Sequence, residues 1–134
     1  MPHIAVLSAS RIRPRVRQLA LVCAAAQAMF AEAGAPTWRV PGGNAANAPA
    51  LMQVFGCAAC HTVPGVQHAV GNVGPPLTRF ADRTYIAGML PNTPKNLIRW
   101  LRAPQTIIPG NAMPDMGISD VQARDLAAYL YTLR

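Results

Sequence analysis

Cys57-Ala58-Ala59-Cys60-His61 is the stretch on which the rest of this sequence turns. Two thiols three positions apart, with an imidazole immediately after, form the C-x-x-C-H spacing of covalent haem attachment. Each residue type has a chemical reason to be there. Thiols at this spacing add to the two vinyl groups along one edge of a porphyrin, and the next residue brings an imidazole to the iron. A structural zinc site needs four ligands. Beyond this segment, residues 34–134 offer only His68 and no second cysteine pair. A thioredoxin-like dithiol wants a preceding strand and a βαβ context that the chain lacks. Both alternatives are weaker than haem.

A six-coordinate iron needs a second axial ligand, which a short chain must bring round on a later segment. His68 lies too close to the attachment site to serve. Met89, Met113 and Met116 remain as thioether donors. Met113 is the best placed, because Pro109-Gly110-Asn111-Ala112-Met113-Pro114 is a loop stiffened by two prolines and a glycine. Methionine is commonly plain core filler, and Met116 shares the same loop.

Upstream, Arg11, Arg13, Arg15 and Arg17 precede an apolar run from Leu19 to Phe30 and the small-residue site Ala31-Glu32-Ala33. That is the layout of a cleavable secretory signal over residues 1–33. The run is broken by Gln27 and falls short of the roughly 20 residues of a spanning helix, which argues against lasting membrane insertion. Cys23 lies inside the run and would leave with it. The expectation is Sec-dependent export to a periplasm, a flexible Pro/Gly/Asn/Ala leader at 34–46, and one folded domain at 47–134. Four of the 12 basic and one of the 5 acidic residues precede residue 34, so the formal charge of +7 falls to +4 on the remainder. No basic run tracks a phosphate backbone, so nucleic acid is not an expected partner. The scattered arginines suit brief, salt-sensitive encounters with an acidic protein surface.

Helix signals are few but specific. Asn47 is placed to cap a short helix carrying Leu51, Val54 and Phe55, which Gly56 ends. Thr93-Pro94 opens a second helix with Leu97, Ile98, Trp100 and Leu101 on its apolar face, up to Pro104. Ser119 opens the last, with Asp120 and Gln122 in its first turn and a stripe of Val121, Leu126, Tyr129, Leu130 and Leu133. His61 to Pro76 reads as loop. The class is all-α: three to four helices and long loops, an arrangement that a small domain sustains best around a large internal cofactor.

With these residues in place, the sequence resembles the class I c-type cytochromes from Leu51 to Leu133. Gly74-Pro75-Pro76-Leu77 is similar to that family's G-P-x-L segment. The resemblance implies that the Pro75 carbonyl orients His61 and that Leu77 packs on the haem. Trp100 stands thirteen residues before Met113, with Pro104 and Pro109-Gly110 between them. This matches the family's order and favours Met113 over Met116. Arg83 falls where many members place a partner for a haem propionate. Asp125 to Leu130 resembles the closing helix, which crosses the first near Leu51 and Phe55.

Ala87-Gly88-Met89-Leu90-Pro91-Asn92-Thr93-Pro94 and Pro104-Gln105 bring the likeness closest to the small haem c domains associated with bacterial haem-copper respiratory oxidases. The resemblance implies a non-enzymatic, single-electron carrier with one covalent haem c, in which His61 and Met113 ligate the iron. A cytochrome bc-type complex would be the donor and a terminal oxidase the acceptor. The alternatives are an electron-accepting subunit of a periplasmic dehydrogenase and, more remotely, a five-coordinate haem that binds gas or peroxide.

Overall fold

The structure is a computed structural model that describes residues 38–134. The expected signal segment 1–33, its Cys23 and the start of the leader lie outside the described residues. Among those described, the chain runs through a 3-10 turn (Ala45–Asn47), α1 (Ala48–Val54) and α2 (Cys57–Cys60). A second 3-10 turn (Phe80–Asp82), the strands β1 (Tyr85–Ile86) and β2 (Leu90–Pro91), α3 (Pro94–Arg102), α4 (Pro104–Ile107) and α5 (Asp120–Leu130) follow. The architecture is mostly helical, as expected, and α2 and α4 are single turns. No helix among the described residues is long and apolar enough to cross a membrane.

Helix α5 is the spine. The Ser119 hydroxyl accepts from the Gln122 backbone at 3.3 Å, and the Gln122 side chain accepts from the Ser119 N–H at 3.0 Å. This reciprocal cap satisfies N–H groups that a helix start otherwise leaves without partners. Ala123, Leu126, Ala127 and Leu130 are buried, and α1 and α3 both pack against the helix. Val121, expected in the apolar stripe, is instead 65% exposed.

The first helix buries a different face from the one its sequence suggests. Ala48 and Met52, four positions apart and so on one face, are buried, while Val54 is 77% exposed. Leu51 and Phe55 pack only partly against the core. Asn47 occupies the cap position without bonding its own helix. Its side-chain N–H instead donates to Asp125 Oδ2 at 2.8 Å.

Residues 38–46 are also not a loose leader. The Asn44 N–H donates to Asp125 Oδ1 at 2.7 Å, and Arg124 Nη1 donates to the Pro41 carbonyl at 3.1 Å. Val40 is buried, and the Trp38 ring lies 6.0 Å from that of Tyr131. A Cβ at Gly43 would stand 2.5 Å from the Arg124 carbonyl oxygen, so only glycine permits this approach. The physical cause is Asp125: a carboxylate only 5% exposed needs donors, and residues 44 and 47 supply them.

Between α2 and α3 the chain adds one feature that the helical patterning does not announce. Tyr85 pairs with Pro91 and Ile86 with Leu90 in an antiparallel hairpin. Ala87 and Gly88 at its turn both have positive φ (50° and 72°), which matches the twist of a tight hairpin. Buried Asn92 holds the hairpin down. Its side-chain amide donates to the carbonyls of Phe80 (3.0 Å) and Arg83 (2.9 Å) and accepts from the Tyr131 hydroxyl (2.8 Å).

Candidate functional site

Gly56, at φ 69°, turns the chain sharply out of α1 and into α2. On that single helical turn Cys57 and Cys60 are three apart and share one side. Both are free thiols. Burial pushes the Cys57 thiol up; a backbone hydrogen bond opposes this, and neighbouring Cys60 adds a smaller upward push.

His61 follows in extended conformation. Its Nδ1–H donates to the Pro75 carbonyl at 2.7 Å, which fixes the ring and leaves the Nε2 lone pair uncommitted. Two backbone bonds fasten the 74–77 segment alongside: Gly74 N–H to the Cys60 carbonyl and Leu77 N–H to the Thr62 carbonyl, each 2.8 Å. Gly74 has an ordinary backbone conformation, and what it contributes is space. A Cβ there would meet His61 Cε1 at 2.3 Å, Nδ1 at 2.7 Å and Nε2 at 2.8 Å.

All of these groups border one apolar cavity of about 320 Å³. Cys57, Cys60 and His61 line it from the attachment segment, and Pro75 and Leu77 from the following loop. Trp100, on α3 and 9% exposed, forms part of the wall, and Met113 enters from the loop between α4 and α5. Arg83 also lines it, with its guanidinium donating to the Pro76 and Thr78 carbonyls and lying 5.4 Å from the Phe80 ring centroid. Every site residue expected from the sequence therefore reaches the same space. Met116 reaches it too, whereas Met89 is 62% exposed and, like His68, does not line it.

Four lining residues escaped the sequence reading. Met52 and Phe80 help to floor the cavity, and the hairpin brings Tyr85 and Ile86 to it. The strands are two residues each, too short for alternation to show. Gly74 was visible only as part of a motif, since the ring it accommodates is thirteen residues earlier.

The cavity fits haem on three counts. Its lining is predominantly apolar with few polar groups, as cofactor sites are. The two thiols share one side of α2, and one imidazole nitrogen is free while the other is tied. Among the described residues no group of three or more His, Cys, Asp or Glu side chains is placed to hold a metal ion.

A fold of this kind around such a cavity defines a haem-binding electron-transfer domain. The chain belongs to the cytochrome c family, whose model, described as Cytochrome c, matches residues 45–134. Haem c is the cofactor of that family. The chain is 43% identical over 88 residues to cytochrome c oxidase subunit 2 of Alkalihalophilus pseudofirmus, covering 61% of this chain and 24% of that protein. It is 35% identical over 82 residues to the same subunit of a Bacillus species (58% and 23%), and 33% over 88 to that of Bacillus subtilis (63% and 25%). The chain thus spans about a quarter of the length of these curated relatives. No solved structure gives a significant match. It is an electron-carrier domain related to oxidase subunit 2.

Proposed function

We propose that this chain is a periplasmic single-electron carrier whose one haem c would be held covalently through Cys57 and Cys60, with His61 and Met113 as the residues that would ligate its iron. It delivers its electron to a terminal oxidase. The observation that carries this reading is the convergence of Cys57, Cys60, His61 and Met113 on one apolar cavity, with His61 Nδ1 tied to the Pro75 carbonyl.

Haem c, when bound, would supply a one-electron couple at its iron, and ligation by a thioether together with an imidazole would raise its potential. The chain's own residues supply the rest. Pro75 sets the tautomer of His61 and makes the free nitrogen a better donor. Leu77 and Trp100 keep water from the cavity. The Arg83 guanidinium, held by two carbonyls, is a fixed positive charge at its edge, suited to a propionate. Similarity to oxidase subunit 2 supports the oxidase as acceptor, and the Arg11–Ala33 segment supports export.

Visible and near-infrared spectroscopy of the oxidised, haem-loaded chain tests the ligand set. A weak sulfur-to-iron charge-transfer band should be present, disappear in Met113→Ala and persist in Met116→Ala. The opposite pattern would transfer the role to Met116. For the acceptor, the reduced chain should be oxidised by membranes containing a haem-copper oxidase in a salt-sensitive reaction, and failure at every ionic strength would reject that partner.

A further inference from the structure

Pro104-Gln105 helped to draw the likeness to oxidase-associated domains, yet the proposed chemistry gives Gln105 no task. Its side chain is unusually committed. The Nε2 amide donates to the Met113 carbonyl at 2.7 Å and the Asn111 carbonyl at 2.9 Å, and Oε1 accepts from the Gly110 N–H at 3.0 Å. Two carbonyls and one N–H leave a single sensible orientation for the amide.

The same loop is gripped a second time from within. Asn111 Oδ1 accepts from the Met113 N–H at 2.8 Å, while its Nδ2 donates to the carbonyls of Ile108 (2.6 Å) and Pro104 (3.1 Å). The Met113 peptide is therefore held on both its N–H and its carbonyl side. None of these bonds reaches Met116. The base is rigid: Pro104 is among the most completely buried residues, and the Gln105 N–H is held by Asp115 Oδ1 at 3.3 Å.

We infer that Gln105 is the positioning residue for the Met113 ligand: its amide fixes the 110–113 loop so that the thioether is pre-arranged, and its loss opens the iron to exogenous ligands. This rests on the His61/Met113 reading. A loop ordered in advance spares the ligand bond the entropy of ordering it. A small ligand that competes with Met113 gains apparent affinity by the factor through which the Met113-bound form is weakened.

Imidazole titration of the oxidised, haem-loaded full chain, followed by the shift of the haem Soret absorbance, which every variant including Met113→Ala reports, reads that factor. Gln105→Leu and Gln105→Glu each remove both donated bonds. They are expected to bind imidazole about tenfold more tightly than the unaltered chain, the factor set by losing one to two net hydrogen bonds. Thr106→Val is the control. It removes a bond from the same helical turn to the Ala103 carbonyl (2.8 Å) without touching the loop, and should leave imidazole affinity unchanged. Met113→Ala sets the uncompeted limit. If Met113→Ala binds imidazole far more tightly while both Gln105 variants match the unaltered chain, Gln105 does not position the ligand. An increase shared by Thr106→Val would reduce the effect to general destabilisation and likewise overturn the inference. If Met113→Ala itself changes nothing, the ligand assignment fails, and this inference with it.

Discussion

Replacing Gly74 by alanine asks whether the space beside His61 matters as the geometry says. The added methyl would stand 2.3–2.8 Å from three atoms of the imidazole, distances that no side chain tolerates. The backbone of Gly74 cannot retreat without breaking its 2.8 Å bond to the Cys60 carbonyl, so the ring must swing instead. Swinging it breaks the 2.7 Å bond to the Pro75 carbonyl. Overpacking costs about 1–3 kcal/mol, and the lost hydrogen bond about 0.5–1.5 kcal/mol. Together they come to about 1.5–4.5 kcal/mol. For a domain of this size each kcal/mol moves the midpoint by about 4–8 °C, so thermal unfolding should fall by at least about 6 °C. Equilibrium unfolding of the haem-loaded chain, followed by the haem absorbance, is the assay. The low-spin spectrum should broaden as well, because the ring no longer holds one orientation. A variant with unchanged midpoint and spectrum would show that the ring is free to move and that the Pro75 bond does not fix it.

Other perturbations separate the packing from the chemistry. Met52→Ala should cost about 2–5 kcal/mol by opening the cavity floor, whereas exposed Val54→Ala should stay within about 0.5 kcal/mol; equal effects in urea unfolding would contradict the buried face described. Asp125→Ala should cost about 1–3 kcal/mol by stranding the Asn44 and Asn47 donors, and should speed amide exchange over residues 40–47; unaltered exchange there would refute the clamp. Burial raises the Tyr131 phenol above its ordinary value of 10.0. The folded state then keeps a proton that the unfolded chain releases, so this stabilisation is full below pH 10 and is lost as pH rises above it. Tyr131→Phe should flatten the loss of stability measured above pH 10, and an unchanged alkaline slope would remove Tyr131 as its cause.

What the sequence disclosed was whatever local chemistry specifies. Thr93, whose hydroxyl accepts from the Asn96 N–H at 3.3 Å, and Ser119 with Gln122 mark the starts of α3 and α5, because a cap is a bond across three residues. The attachment motif is local for the same reason. The domain edge was misplaced because what orders residues 38–46 is a carboxylate 81 positions away from Asn44. The buried face of α1 was off by a residue because a seven-residue helix gives periodicity too few turns to register. The hairpin was hidden behind an alanine in a conformation usually left to glycine. That the Met113 loop reaches the cavity fits its expected stiffness and spacing, while the amide of Gln105 that grips it became visible only in three dimensions.

The attachment of haem is tested most directly by the mass of the chain purified after expression with haem-attachment machinery. The expected result is one haem per chain, retained through denaturation and acidic organic extraction and located on the peptide containing Cys57 and Cys60. Cys57→Ser and Cys60→Ser should each remove one thioether bond. A folded chain that lacks haem, or one that releases it intact into the solvent, would contradict the account.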